Sequence, residues 1–370
     1  MDFAGIVNKT WNQNILFSVL VELTYRCNLN CFFCYNDLEL EGRPLTKEQY
    51  FQLFEDLAEM QVFNLVLSGG EPLAHPDFFE LGAKARELGF VVRIKSNGHA
   101  LHGKLAQRIQ QEVDPFVIEV SLHGAQAETH DRQTRVPGSF DQLITNLKVM
   151  RELGLRVKIN STMTAWNEAE AEGMMHLAGT LGIPIHIDPV VTPRDDGDTS
   201  PLSIAPSPEG VRRLLSVQRD LMRRAAAEAD AAGAEPTPAP LTIGRQADEI
   251  MPVQDNRKHC GAGSGGVAID PFGNVHPCVA WRHSVGNLHQ QSIREIWDSS
   301  PRLRHIRDLN EEVKTSLADQ GEWAQGLNFC PGSAVQETGS PLGIYDSARQ
   351  RADAAASLKD EKKPLLPILR

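Results

Sequence analysis

Short apolar runs alternate with longer amphipathic stretches from about Leu16 to Val191, and few folds accommodate such a pattern. The apolar runs are Leu16–Leu23, Phe63–Leu67, Phe90–Ile94, Phe116–Val120, Val157–Asn160 and Ile183–Ile187. Strands that follow one another across a helix pair in parallel, because the helix returns the chain to the same end of the sheet. The pattern predicts an α/β fold: a partial (β/α)6 barrel, similar to a TIM barrel, with its chemistry at the carboxyl ends of the strands.

The stretches between these runs carry helical signals. The clearest helical patterns are Thr46–Met60, Ser139–Leu153 and Asn167–Leu181. Thr46 with Gln49 three residues later is a capping box, and Gly154 and Gly182 lie where the second and third of these helices should end.

The alternation ends after Val191, which predicts a change of organisation. The acidic run Asp195–Asp198 indicates a long, functional loop, Glu209–Ala232 looks helical, and Ala234–Pro240 reads as a stiff linker. A turn at Asp270–Asn274 between two apolar runs predicts a hairpin. We expect an N-terminal extension (1–15), a barrel domain (16–200), a helical and proline-rich connector (201–257), a smaller C-terminal domain (258–342) and a tail (343–370).

The charge balance restricts the partners. The 370 residues include 37 Lys and Arg and 48 Asp and Glu, a net charge of −11. This excess of acid argues against nucleic acids and anionic membrane surfaces as partners. No apolar stretch near the start is long enough to span a bilayer, and residues 1–14 do not resemble a secretion signal, so the sequence predicts a cytoplasmic protein.

Three of the six cysteines lie within eight residues, directly after the first predicted strand. Cys27, Cys31 and Cys34 have the spacing C-x3-C-x2-C, which suits a soft metal centre. A structural zinc site usually needs a fourth protein ligand, and the first histidine of the chain is His75. An iron–sulfur cluster with one open iron, a zinc site and three unrelated buried cysteines are the alternatives.

The segment Cys27–Asn36, with Phe33 before its last cysteine, closely resembles the signature of the radical S-adenosylmethionine (radical SAM) superfamily. The resemblance implies that Cys27, Cys31 and Cys34 hold a [4Fe–4S] cluster whose fourth iron is chelated by SAM. It also implies reductive cleavage of SAM to a 5′-deoxyadenosyl radical, and this chemistry belongs to the cofactor.

Further motifs follow the next strands. Gly69, Gly70, Glu71 and Pro72 match the family's Gly-Gly-Glu-Pro motif. Two glycines allow the backbone to approach a ligand closely, and Glu71 can accept a hydrogen bond from an ammonium group. The resemblance assigns that ammonium to SAM, whereas the motif alone would be an ordinary turn.

Polar residues at the third and fourth strand ends are similar to family motifs. Ser96 and Asn97 lie in a Ser-Asn-Gly segment, and Ser121 begins a Ser-Leu-His-Gly segment in which His123 replaces the usual aspartate. The resemblance implies contacts with the ribose or carboxylate of SAM. The alternative is turn and capping chemistry.

Arg135 ends a segment, His130–Arg135, that resembles a family pattern preceding a Pro-Gly-Ser-Phe helix start. The resemblance places Arg135 near the SAM carboxylate, which a guanidinium group suits. An ordinary surface arginine is the alternative. Asn160, on the fifth strand, is a weaker candidate for the same polar shell.

The remaining cysteines, Cys260, Cys278 and Cys330, all lie in the C-terminal region, which resembles the SPASM/Twitch extension of radical SAM enzymes. Three cysteines support at most one auxiliary [4Fe–4S] cluster. The alternatives are zinc with one histidine as fourth ligand and a thiol set without metal. The candidate histidines are His259, His276 and His283.

The resemblance covers about residues 16–335 and implies the class of reaction. Relatives with this extension mostly modify peptides, so we expect a peptide or protein substrate that undergoes crosslinking, oxidation or epimerisation. An enzyme of cofactor or tetrapyrrole biosynthesis is the alternative. A non-catalytic electron carrier would not need the Gly69–Pro72 motif or an open iron. A reducing donor such as flavodoxin or ferredoxin is the expected redox partner, and the catalytic residues remain unassigned.

Overall fold

The computed structural model describes residues 3–232, 258–320 and 329–359, so the predicted linker Ala234–Pro240 lies outside the described residues. Within these ranges the strands form a single sheet in the order β6-β5-β4-β3-β2-β1-β7-β8-β9. The strands are β1 Ser18–Thr24, β2 Asn64–Gly69, β3 Val91–Ser96, β4 Val117–Ser121, β5 Val157–Thr162, β6 Ile185–Asp188, β7 Gly266–Ile269, β8 Asn274–His276 and β9 Gly286–Asn287.

Strands β1 to β6 pair in parallel with their neighbours. All six predicted strands are therefore confirmed, as is the partial barrel that they build. Several of them extend to polar residues beyond the predicted apolar run, such as Thr24, Ser96 and Thr162, because the ladder hydrogen bonds use the backbone alone.

One helix precedes the first strand, and the others lie between and after the strands. They are α1 Phe3–Asn12, α2 Lys47–Glu59, α3 Phe78–Glu87, α4 Gly103–Arg108, α5 Ala127–Thr134, α6 Ser139–Glu152, α7 Ala171–Leu181, α8 Pro208–Ala232, α9 Ile293–Ser299, α10 Pro301–Asp319, α11 Pro331–Thr338 and α12 Asp346–Lys359. The predicted capping box is confirmed, since the Gln49 amide donates to Thr46 Oγ1 and the Thr46 amide donates to Gln49 Oε1, at 3.3 and 3.1 Å.

One helix prediction is wrong at its first turn. The helix expected from Asn167 begins at Ala171, after a 3-10 turn at Glu168–Glu170. The buried Asn167 side chain donates to the carbonyls of His123 and Thr162, both at 3.0 Å. These contacts hold the segment against the strand ends, and a side chain that bonds to local backbone competes with helix formation.

The sheet has an apolar outer face and a polar inner face. Ile118, Val120 and Ile159 are fully buried on the outer face, toward the helices. Because side chains alternate along a strand, Glu119 and Asn160 point to the inner face. The barrel interior is thus lined by polar groups.

The C-terminal region continues the same sheet. Strand β7 pairs in parallel with β1, and the predicted hairpin at Asp270–Asn274 joins β7 to the antiparallel β8. One oxygen of the Asp270 carboxylate accepts from the amides of Phe272 and Asn274, both at 2.9 Å, which closes the turn. Among the described residues no helix is long and apolar enough to cross a membrane.

Candidate active site

Cys27, Cys31 and Cys34 lie on the loop that follows β1, at the carboxyl edge of the barrel. Their thiols are free and half-buried. Burial raises the pKa of the Cys31 thiol, and the neighbouring Cys34 and Cys27 raise it further. The three sulfurs are therefore close enough to repel one another as thiolates, and a bound cation would reverse this cost because a coordinating thiol is deprotonated.

The end of helix α5 holds one side of this cysteine loop. The Asn30 amide donates to the Thr134 carbonyl and the Phe32 amide donates to the Gln133 carbonyl, both at 3.1 Å. The last carbonyls of a helix have no partner within the helix, so the loop occupies acceptors that would otherwise need water.

The segment after β6 holds the other side. Arg194 donates from its two terminal nitrogens to the carbonyls of Cys34 and Phe32, both at 3.0 Å. The Asp195 amide donates to the Tyr35 carbonyl at 2.8 Å. The predicted loop at Asp195–Asp198 thus contacts the cysteine loop directly, and Arg194 is a residue that the sequence reasoning missed.

The glycines of the Gly-Gly-Glu-Pro motif allow a close approach, and in this structure the approach is to the chain's own backbone. The Gly70 amide donates to the Thr24 carbonyl at 2.7 Å. A Cβ at Gly70 would lie 2.5 Å from the Tyr25 carbonyl oxygen and 2.7 Å from that of Arg26. Gly69 has a φ of 131°, which only glycine adopts readily. Both glycines therefore allow the end of β2 to pack against the backbone at the start of the cysteine loop.

Glu71 is 2% exposed and accepts several internal hydrogen bonds. Its carboxylate accepts from the Ser96 hydroxyl at 2.9 Å, from the Asn97 amide at 2.8 Å and from the Leu73 amide at 3.2 Å. Burial raises the pKa of Glu71 to about 7 despite these donors. Glu71 thus joins the second and third strand ends, and a carboxylate with three donors retains one acceptor position for a ligand.

Asn97 connects the third strand end to the cysteine loop. Its side-chain nitrogen is 2.8 Å from Asn28 Oδ1 and 3.7 Å from Cys27 Sγ. The Asn28 side chain is in turn 3.0 Å from His99 Nδ1. The structure therefore brings Asn97 to the first cysteine, whereas Ser96 points into the Glu71 contact.

Ser121 and Arg135 lie at the same edge of the sheet. Ser121 ends β4 opposite Asn160 on β5. Arg135 is exposed in the left-handed conformation that ends α5, and its guanidinium carbon lies 4.6 Å from the centre of the Phe32 ring. The geometry is compatible with SAM contacts at both residues, which stay predictions.

His123, whose role the sequence left open, is a buried structural contact of the cysteine loop. Its Nδ1 accepts from the Thr162 amide at 3.2 Å, and its ring lies edge-on to Phe33 with centroids 4.7 Å apart. Burial, aided by the neighbouring His130, lowers the pKa of His123 to about 3. The imidazole is therefore neutral.

The C-terminal cysteines also converge. Burial raises the pKa of Cys278 to about 12, and the nearby Cys260 and Cys330 add to the rise. The His259 ring nitrogen is 2.9 Å from the Phe329 carbonyl. Across the described ranges no group of three or more His, Cys, Asp and Glu side chains is arranged to hold a metal ion. The ligands of an iron–sulfur cluster bind separate irons, so they need not meet at one atom.

Arg282 joins the two cysteine regions. It follows Cys278 by four residues and pairs with Glu22 on β1 and with Asp195, at 2.8 Å in each case. It also donates to Asn36 Oδ1, at the end of the first cysteine loop, at 3.3 Å. No local sequence signal pointed to this cluster.

Comparison with known families accounts for both cysteine sets. The sequence model of the Radical SAM superfamily matches residues 21–178. The chain belongs to this superfamily. The model of the SPASM domain, an iron–sulfur cluster-binding domain, matches residues 260–319, so the radical SAM enzyme carries a C-terminal SPASM domain.

Curated relatives of this radical SAM enzyme include proteins named for tetrapyrroles and proteins named for peptides. The AdoMet-dependent heme synthase of Methanosarcina barkeri is 28% identical over 333 residues, which cover 87% of this chain and 93% of that protein. The PqqA peptide cyclase of Ruegeria pomeroyi is 28% identical over 291 residues, 76% of this chain and 73% of that protein.

Solved structures agree on the fold. The crystal structure of Streptococcus suis SuiB bound to S-adenosylmethionine matches with a TM-score of 0.67 at 16% identity, over 92% of this chain and 79% of that chain. The two domains together imply iron–sulfur clusters and SAM binding in this radical SAM enzyme.

Proposed function

We propose that Cys27, Cys31 and Cys34 hold a [4Fe–4S] cluster and that SAM binds beside it. The supporting observation is the cysteine loop itself: three free thiols, close enough to repel one another as thiolates, whose backbone is held by α5 and by Arg194. When bound, this cluster would supply the electron for the reductive cleavage of SAM to a 5′-deoxyadenosyl radical.

The chain's own residues would orient SAM at the strand ends. The acceptor position left on Glu71 suits the SAM ammonium, and the exposed Arg135 suits its carboxylate. Asn97 and Ser121 lie at the adjacent strand ends, where their side chains would bond the remaining polar groups. Gly69, Gly70 and Pro72 would position Glu71 rather than touch the cofactor.

We assign a second, auxiliary [4Fe–4S] cluster to Cys260, Cys278 and Cys330. The mutual effect of these thiols on the pKa of Cys278 supports the assignment, as does the SPASM match. This cluster would accept an electron after radical coupling or bind the substrate. Its fourth ligand is left open, and flavodoxin or ferredoxin remains the proposed donor.

The substrate that we propose is a peptide or protein, which the enzyme would modify by crosslinking, oxidation or epimerisation. The relative named for a peptide, PqqA peptide cyclase, supports this substrate. A tetrapyrrole or related small molecule is the second candidate, because the heme synthase aligns over a longer part of this chain, 87% against 76%.

The test of the first proposal is anaerobic SAM cleavage. The reconstituted enzyme with dithionite should release 5′-deoxyadenosine, and Cys31→Ala should abolish the release while the auxiliary iron is retained. Glu71→Ala should lower SAM affinity at least about tenfold with iron content unchanged, as expected for the loss of a desolvated charge pair. Full cleavage by the Cys31→Ala protein would refute the assignment.

The substrate class needs a separate measurement. When the enzyme and SAM are incubated with deuterated peptides, a peptide substrate should lose deuterium to the 5′-deoxyadenosyl radical. Mass spectrometry detects the deuterium that 5′-deoxyadenosine gains. If a deuterated tetrapyrrole transfers deuterium to 5′-deoxyadenosine and no peptide does, the second candidate replaces the first.

A further inference from the structure

The inner face of the barrel carries a group of charged side chains that the proposed SAM site does not use. In the sheet register Lys95 lies opposite Glu119, and Glu119 lies opposite Lys158. On the next strand pair Thr162 lies opposite Asp188. All of these residues alternate with buried residues of the outer face, so they face the interior.

Cations outnumber carboxylates around Glu119. Burial raises the pKa of Glu119, but Arg93 and Lys95 on β3 and Lys158 on β5 lower it. Three cations thus face one carboxylate, that of Glu119, although the chain as a whole has a net charge of −11. An acidic protein with a locally positive cavity concentrates anions there.

The Glu119 carboxylate does not form a hydrogen bond with each of these cations. Glu119 is 4% exposed and already pairs closely with Arg93 and accepts from Asn160 at 2.7 Å. The Lys95 ammonium is 3.7 Å from Glu119, beyond hydrogen-bond distance, and its side chain is 45% exposed.

Lys158 is the clearest example of a cation on the inner face that Glu119 does not bind. In the described part of the chain its ammonium has no hydrogen bond or ion pair, and burial lowers its pKa. A half-buried ammonium without a partner costs free energy, which a bound anion would recover.

We propose that Lys95 and Lys158 bind a carboxylate group of the substrate inside the barrel. Lys95 directly precedes Ser96 and Asn97, so the bound carboxylate would lie next to the proposed SAM site. This inference rests on the proposed function, and it adds the chemical class of the substrate: a carboxylate-bearing compound, whether a small molecule or an acidic peptide side chain.

The test compares an inner and an outer pair of lysines in the reconstituted holoenzyme. The inner variant is Lys95→Met with Lys158→Met. The matched control is Lys104→Met with Lys148→Met, which removes the same charge from exposed positions on α4 and α6. SAM affinity and substrate-free release of 5′-deoxyadenosine are measured for both.

Two probe pairs identify the source of the carboxylate. The first pair is coproporphyrin III and its tetramethyl ester. The second pair is a glutamate-rich peptide and the same peptide with glutamine in place of glutamate, both carrying a fluorescent label. Fluorescence measures the binding of each probe to the enzyme. We expect one acid to bind the wild type and the control at least about tenfold more tightly than its uncharged counterpart, as for hydrogen bonds to charged groups. The inner variant should lose that difference and keep its SAM affinity.

Three outcomes would overturn the proposal: no preference for either acid in the wild type, an equal loss in the control variant, or a loss of SAM affinity in the inner variant, which would assign the lysines to SAM. A wild type that releases no 5′-deoxyadenosine refutes the proposed function instead, so the two failures are distinguishable.

Discussion

Arg282 and Glu22 form a two-point ion pair across 260 residues of sequence, with both terminal nitrogens 2.8 Å from the two carboxylate oxygens. The Glu22 side chain is fully buried and that of Arg282 is 11% exposed. The pair joins the first strand of the barrel to the loop after Cys278. Together with the pairing of β1 and β7, this buried contact therefore fixes the position of the two cysteine regions relative to each other.

Arg282→Met should destabilise the protein by about 3–5 kcal/mol, because it leaves the buried Glu22 carboxylate without its cation. Chemical denaturation of the apoprotein measures the loss. Arg294→Met is the control, since Arg294 pairs with Glu59 at 3.7 Å on the surface, where such pairs contribute about 0–1 kcal/mol. Equal losses in the two variants would contradict the assigned role.

Gly70→Ala should displace the cysteine loop, because the new Cβ would lie 2.5 Å from the Tyr25 carbonyl oxygen. We expect weaker cluster retention and lower SAM affinity, measured by iron content and equilibrium dialysis. Gly179→Ala is the control: nothing lies within 4 Å of its Cβ position in helix α7, and the change should stabilise by about 0.5–1 kcal/mol. A Gly70→Ala enzyme with normal iron content and SAM affinity would argue against the close contact.

The stability of the protein should depend on pH through Glu71. Burial raises its pKa from 4.5 to about 7, so the folded state binds more protons than the unfolded state between these values. This contribution is fully present below pH 4.5 and is lost as the pH rises through about 7, by roughly 3 kcal/mol. Urea denaturation at about pH 5 and about pH 8 should show the loss in the wild type, relative to Glu71→Gln, which cannot titrate. Identical pH profiles for the two proteins would mean that Glu71 titrates normally.

The iron and sulfide content of the protein should show whether the auxiliary site holds a cluster. Two clusters predict about eight irons and eight sulfides per chain, and a Cys27/Cys31/Cys34 triple Ala variant should keep about half. Stoichiometric zinc without inorganic sulfide in that variant would identify a structural zinc site. Unchanged catalysis in Cys278→Ala would mean that the site is not a redox partner.

Features set by neighbouring residues were predictable. The capping box of Thr46 and Gln49, the hairpin at Asp270–Asn274 and the strands depend on groups a few positions apart. The first turn of the helix expected at Asn167 was wrong, because the Asn167 side chain bonds the carbonyls of His123 and Thr162 instead. Helix propensity does not include such tertiary contacts.

By itself the sequence determined the parallel barrel and the two cysteine sets, because strand–helix alternation and cysteine spacing are local. Only the tertiary structure decided that Arg194 holds the cysteine loop, that Arg282 meets Glu22, and that Lys95 and Lys158 share the barrel interior. Alternation along a strand tells which side chains share a face, but not which face is inside or which strand lies beside it. Charges from distant segments meet only when the strands that carry them assemble into the sheet.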